Sequence, residues 1–201
     1  ITSANAKNSV KKIRASLNKY FKAIKLCSED KQTDASSFLT LYAMSFLGAV
    51  IKPAGSYSDI ADIGYGLDIR VSSYLMDMKE ARLSLDINAA YLSAKEERIE
   101  SAYFLSPQVL AGYSFSVTEN FSIMPLGGAG YVFNLINGKK KGSQESSTDF
   151  YYNPAVSCGI EFSYNIFPGT SIIMSPSCTY FFEQNDSGMY LMVSAGYRHE
   201  F

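Results

Sequence analysis

Most of this chain alternates apolar and polar residues with a period of two, over segments too long for an ordinary soluble sheet. From residue 103 one face reads Tyr103, Leu105, Pro107, Val109, Ala111, Tyr113, Phe115 and Val117. The other reads Phe104, Ser106, Gln108, Leu110, Gly112, Ser114 and Ser116. The pattern returns at Val156, Cys158, Ile160, Phe162 and Tyr164, and again at Ile172, Met174, Pro176, Cys178, Tyr180 and Phe182. It closes the chain at Met189, Leu191, Val193, Ala195, Tyr197, His199 and Phe201. Successive strand residues point to opposite faces, so this pattern specifies strands with one apolar side. Eight are expected, at 38–50, 62–75, 81–93, 102–117, 121–136, 150–165, 171–183 and 189–201. Each spans about a dozen residues or more, against about 5–6 for a typical strand and about 9–11 for one that crosses a bilayer. The expected fold is all-β: an eight-stranded antiparallel up-and-down transmembrane β-barrel.

The connections agree with that. Residues 76–80, 118–120 and 166–170 make tight turns; 52–61, 94–101, 137–149 and 184–188 are mostly longer and more charged. Outer-membrane barrels have short periplasmic turns and longer external loops. In such a barrel the apolar residues face lipid, and Gly64, Gly66, Asp68, Arg70, Arg82, Asp86, Asn88, Glu161, Arg198 and Glu200 face inward. An eight-stranded barrel is about filled by its own side chains. Asp68, Arg70, Arg82, Asp86, Glu161, Arg198 and Glu200 are therefore expected to form a packed charge network. Alternation alone cannot say which face is wet, and a soluble lipocalin-like ligand carrier would invert the assignment. Pro107, Pro125, Pro154 and Pro176 fall inside expected strands and each removes a ladder donor, which local bulges could absorb. Residues 38–51 are almost continuously apolar and could instead be a signal-peptide core; counting them as a strand keeps the strand number even.

Residues 1–36 differ. They carry eight Lys or Arg against three Asp or Glu, whereas 37–201 carry ten against sixteen. Val10, Ile13, Leu17, Phe21 and Ile24 recur at helical spacing among lysines. The expected organisation is a basic amphipathic helix and linker at 1–36, placed in the periplasm, and a barrel at 37–201. The helix suits a membrane surface or a protein partner. The chain's net charge of −1 argues against nucleic acid.

The last residues, Ser194-Ala-Gly196-Tyr-Arg-His199-Glu-Phe201, resemble the C-terminal signal that bacterial outer-membrane proteins present to the barrel-assembly machinery. Ser194, Gly196, His199 and Phe201 match its positions, with His199 where an aromatic or aliphatic residue is usual. Phe121–Phe133, with its Pro-x-Gly-Gly-x-Gly-Tyr run, and Ser106–Phe115 resemble strands of small OmpA/OmpX-like outer-membrane barrels. The resemblance covers about residues 38–201. It implies insertion into the bacterial outer membrane, among its lipids and lipopolysaccharide, and assembly by that machinery. It fixes no activity, since such barrels serve as anchors, adhesins, narrow channels and enzymes.

No catalytic residues, metal site or cofactor are expected. A hydrolase would want His beside a nucleophile, and the single histidine, His199, is expected at the periplasmic rim facing lipid. Gly127-Gly-Ala-Gly130 precedes no helix and is not a dinucleotide motif. Cys158 and Cys178 are equidistant from Pro168, so they should oppose each other on the lipid-facing side. They are a candidate disulfide or simply two small apolar residues. Lys139-Lys-Lys141 lies in the longest loop, where it reads as a solvated tip or a contact for anionic lipopolysaccharide. The expected role is a non-enzymatic structural or surface-interacting protein; the alternatives are a narrow channel for small hydrophobic solutes or ions, and the soluble carrier.

Overall fold

The computed structural model describes residues 41–55, 57–75, 78–95, 99–139, 146–183 and 187–201. The helix expected within 1–36, Cys27, Lys140 and Lys141 lie outside them. Eight long strands are present: β1 Leu41–Gly55, β2 Ala61–Leu75, β3 Met78–Ala94, β4 Ile99–Tyr113, β5 Phe121–Lys139, β6 Ser146–Phe167, β7 Thr170–Phe182 and β8 Ser187–Glu200. A two-residue ladder at Phe115–Ser116 extends the β4–β5 hairpin. One short helix, α1 (Tyr57–Ile60), joins β1 to β2.

Every strand pairs antiparallel with its sequence neighbour, and β1 pairs with β8, so the sheet closes on itself. Following partners from Ile51 through Gly64, Leu92, Ala102 and Ile136 arrives at Asp149 on β6. Following them the other way, through Met192 and Ser177, arrives at Gly159 on the same strand. That ten-residue stagger gives the tilt a small barrel needs to close.

The faces sort by the parity read in the sequence. Leu67, Leu85, Val109, Ile160, Met174 and Val193 are exposed on the outer wall. Aromatic residues rim this wall at both ends: Tyr65, Tyr91, Tyr103, Tyr131 and Tyr180 toward the loops, and Tyr113, Phe115, Tyr164, Phe167 and Tyr197 toward the turns. An apolar band between aromatic girdles is the signature of a wall in lipid. The inverted faces of a soluble carrier are not found. No helix among the described residues is long and apolar enough to cross a membrane.

Several expected boundaries move: the strand expected at 81–93 is Met78–Ala94, and the one expected at 102–117 is Ile99–Tyr113, interrupted at Ser114 before the Phe115–Ser116 ladder. Strand β1 runs on to Gly55, because its inward alternation continues through Ile51 and Pro53, paired with Met192 and Tyr190. It ends where Gly55 takes φ 68°. The described residues of the expected loop 137–149 are strand, since β5 and β6 stay paired as far as Lys139 and Ser146.

The prolines are absorbed without bulges at their own positions. All four point outward. Pairing between β4 and β5 skips Pro107 and stops short of Pro125; pairing between β6 and β7 stops short of Pro154 and skips Pro176. Each keeps its partner on the other side: Ile87, Ile160, Tyr131 and Val193 respectively. Beside Pro107, the Ser106 hydroxyl donates to the Tyr131 carbonyl at 3.0 Å, the group that would otherwise face the missing proline N–H.

Candidate functional site: a stratified barrel interior

The inward residues form layers. Toward the loops lies an apolar plug built on Ile51, Leu92, Phe104, Val132, Phe181 and Tyr190, each at most 4% exposed. Helix α1 drops Tyr57 into it. The Tyr57 ring meets Phe181 edge-on at 5.0 Å and Tyr190 at 5.9 Å. Its hydroxyl donates to Glu183 Oε1 at 2.9 Å and accepts from Asn134 Nδ2 at 3.3 Å. Tyr190 donates to Asn134 Oδ1 at 2.9 Å. Burial, then the Glu183 carboxylate, raises the Tyr57 pKa well above its ordinary range, so the phenol is a neutral donor. Sequence reasoning missed Tyr57, which reads as one aromatic residue in a polar connection. Its only signal is the adjacent Gly55.

Below the plug lies a polar layer: Asp68, Asn88, Ser106, Gln108, Ser175, Thr179 and Ser194, each at most 5% exposed. Gln108 Nε2 donates to Ser106 at 2.7 Å and, more loosely, to Thr179 at 3.4 Å. Ser157 and Thr179 share a 2.7 Å hydrogen bond.

Next comes the ion network. Arg70, 2% exposed, reaches Asp86 Oδ1 at 3.0 Å through Nε, Glu161 Oε2 at 2.8 Å through Nη1, and Asp68 Oδ2 at 3.5 Å through Nη2. Glu161 also pairs with Arg198. At the turn-end rim Arg82 meets Glu200 at 3.7 Å and lies over the Tyr74 ring at 5.8 Å, while Tyr42 donates to Glu200 at 2.7 Å. Asp68, Arg70, Arg82, Asp86, Glu161, Arg198 and Glu200 thus all face inward and all take part in ion pairs, as their parity predicts. A polar recess of about 210 Å³, lined by Glu80, Arg82, Asn120 and Glu200 among others, opens at that rim.

The remaining candidates are scattered. Ser194 points inward, with Ala49 and Ser175 as cross-strand partners, and Gly196 lies against Leu47. A Cβ on Gly196 would stand 2.1 Å from the Phe46 carbonyl, so this position requires glycine. His199 and Phe201 are exposed on the outer face, ring to ring at 5.2 Å. His199 Nδ1 lies 3.5 Å from the Thr170 hydroxyl. No group of three or more His, Cys, Asp or Glu side chains suited to a metal occurs among the described residues.

Cys158 and Cys178 are direct cross-strand partners on the outer wall, and both are free thiols. The Glu200 N–H donates to Gly169 O and the Phe201 N–H to Tyr42 O, so even residues of β8 bond to β7 and odd ones to β1. Carried across β7, this alternation puts the two cysteines in a hydrogen-bonded pair, the wider class, with Cα atoms about 5.5 Å apart. Directly opposed Cβ atoms lie about 4.5–5.5 Å apart, toward the wider end in a hydrogen-bonded pair, and a disulfide wants them near about 3.8 Å, so closing one here would pull the ladder in. Alkylation of the folded protein followed by mass spectrometry is expected to label both thiols. A linked 158–178 peptide would contradict this.

An antiparallel eight-stranded barrel, apolar outside and ion-paired inside, defines a transmembrane barrel, and the fold is that of small bacterial outer-membrane proteins. Neisserial surface protein A is similar over 81% of this chain and 99% of its own, with a TM-score of 0.58 and 17% identity. Pseudomonas aeruginosa OprG is similar over 84% and 99%, with a TM-score of 0.54 and 12% identity. Ail, the attachment invasion locus protein of Yersinia pestis, is similar over 78% and 97%, with a TM-score of 0.50 and 19% identity. No protein-family model matches the sequence, and no curated protein matches it.

Proposed function

We propose that this protein is a non-enzymatic outer-membrane barrel that acts through its external surface rather than through a pore. The plugged interior carries this reading: Ile51, Val132, Phe181 and Tyr190 are each at most 1% exposed, and the ion network lies beneath them. The projecting β5–β6 hairpin supports it. These strands have 19 and 22 residues, against 13 to 17 for the rest. Phe150, Tyr151 and Tyr152 stand exposed on the projection, and Lys139 pairs with Glu100 at 3.6 Å beside it. On this reading the barrel's surroundings are lipid and lipopolysaccharide, the assembly machinery handles the β8 end, and the basic N-terminal segment lies on the periplasmic side and engages a protein or the membrane surface.

The polar recess at the turn-end rim favours a second reading, a narrow channel. Planar-bilayer recording separates the two. The refolded protein is expected to show no unitary conductance steps. Reproducible steps that disappear when the protein is omitted would establish the channel.

A further inference from the structure

We propose that the outward aromatic face of the projecting β5–β6 hairpin is a docking surface for the sugar rings of neighbouring lipopolysaccharide. The inference rests on the surface role proposed above and names the partner of its hairpin. Tyr65, Tyr91, Tyr103, Leu135 and Phe150 are successive cross-strand partners from β2 to β6, all of outward parity. The first three belong to the aromatic rim at the loop end. The ten-residue stagger makes such a row climb toward the loops as it passes from strand to strand. Its last member therefore rises above the rim. The end of β7 agrees: its pairing with β6 reaches only Ala155, and the strand stops at Phe182. Phe150 and Tyr152 stand past that edge.

The rings there form a chain. Phe133 and Phe150 lie 6.0 Å apart, with planes 24° from parallel. Tyr131 adjoins Phe133 at 6.4 Å, and Tyr152 adjoins Phe150 at 6.5 Å. Phe150 is 59% exposed and Tyr152 66%. The charge beside them is spent, since Lys139 pairs with Glu100 at 3.6 Å. So are the polar groups. Asn137 donates to the Ser101 hydroxyl at 3.0 Å and accepts from the Thr148 hydroxyl at 2.9 Å.

An exposed apolar patch marks a contact surface, and this one is continuous with the lipid-facing wall. Below the rim that wall meets acyl chains. Above it, in a leaflet of lipopolysaccharide, the next layer is phosphate and sugar. Phosphate calls for free Lys or Arg, and the described residues of this face offer none. A sugar ring presents a flat C–H surface while its hydroxyls stay in water at the edge. That surface suits an aromatic ring, through dispersion and the ring's negative face. Aromatic side chains also supply such contact at little entropic cost.

The test is equilibrium binding of the detergent-folded protein to lipopolysaccharide carrying its core sugars and to lipid A alone. Wild type is compared with two double variants, Phe150→Ser with Tyr152→Ser and Phe150→Tyr with Tyr152→Phe. Wild type should bind the sugar-bearing form about tenfold more tightly, a factor within reach of a few ring contacts. The serine variant should bring the two affinities together, and the ring-for-ring variant should keep them apart. Equal wild-type affinities would overturn the proposal, as would a preference that survives in the serine variant. Equal affinities that both fall in the serine variant would give the face to acyl chains, against the proposal. Concentration-dependent dimers abolished by the serine variant would give it to a second copy, equally against it. Should the serine variant fail to fold, soluble core oligosaccharide supplies the readout: it should compete for wild type, and no competition refutes the site. Failure of the sugar contact would leave the surface role standing, since conductance tests that separately.

Discussion

Replacing Glu161 by alanine should destabilise the folded barrel by about 3–5 kcal/mol, the cost of removing one partner from a buried ion pair. Glu161 is 1% exposed and bridges Arg70 and Arg198, themselves 2% and 1% exposed. Its loss leaves Arg198 with no carboxylate on its guanidinium and Arg70 with the two aspartates. Glu161→Gln retains the shape and one acceptor and should fall between wild type and alanine. The measurement is the urea midpoint of the folded, faster-migrating gel form. A Glu161→Ala protein within about 1 kcal/mol of wild type would mean that the pairs are solvated, and that water reaches well into the barrel.

Val109→Arg is the second. Val109 stands on β4 in the middle of the apolar wall, half exposed and with Leu85 as its cross-strand partner. A charge at the midplane of a lipid-facing wall costs about 2–4 kcal/mol. The loss should be largest in bilayers and should shrink for Tyr113→Arg at the aromatic rim, where charge costs about 0–1 kcal/mol. Equal, small effects at both depths would mean that water and not lipid bathes this face.

Parity made much of this legible in advance. Asp68, Arg70, Arg82, Asp86, Glu161, Arg198 and Glu200 could be assigned inward because each shares alternation with small or polar residues on its strand. Which of them meet was not legible. Arg70 and Glu161 are 91 positions apart, and their contact depends on the ten-residue stagger of the closed sheet, a property of the whole ring. The plug was hidden differently. Tyr57 sits in a segment with no period of its own, and its burial comes from a turn after Gly55 that places it over Phe181 and Tyr190. The outer part of the β5–β6 hairpin reads as loop because alternation fades where both faces of a strand meet water. Ser146, Ser147, Thr148 and Asp149 are strand by pairing and not by pattern.

The outward prolines leave the wall unequally mended. Where Pro107 withholds a donor, a serine one residue away closes the gap; at Pro176 no described side chain does the same. Pro154 ends the pairing of β6 with β7, and the two small thiols of Cys158 and Cys178 lie between these prolines along the same boundary. The seam between β6 and β7 thus lacks the ladder donors of Pro154 and Pro176, as that between β4 and β5 lacks those of Pro107 and Pro125, but only the latter has a serine to mend one of them. When the barrel is pulled or heated to failure, it should part along the unmended seam between β6 and β7, unzipping from the end where the long hairpin already stands free.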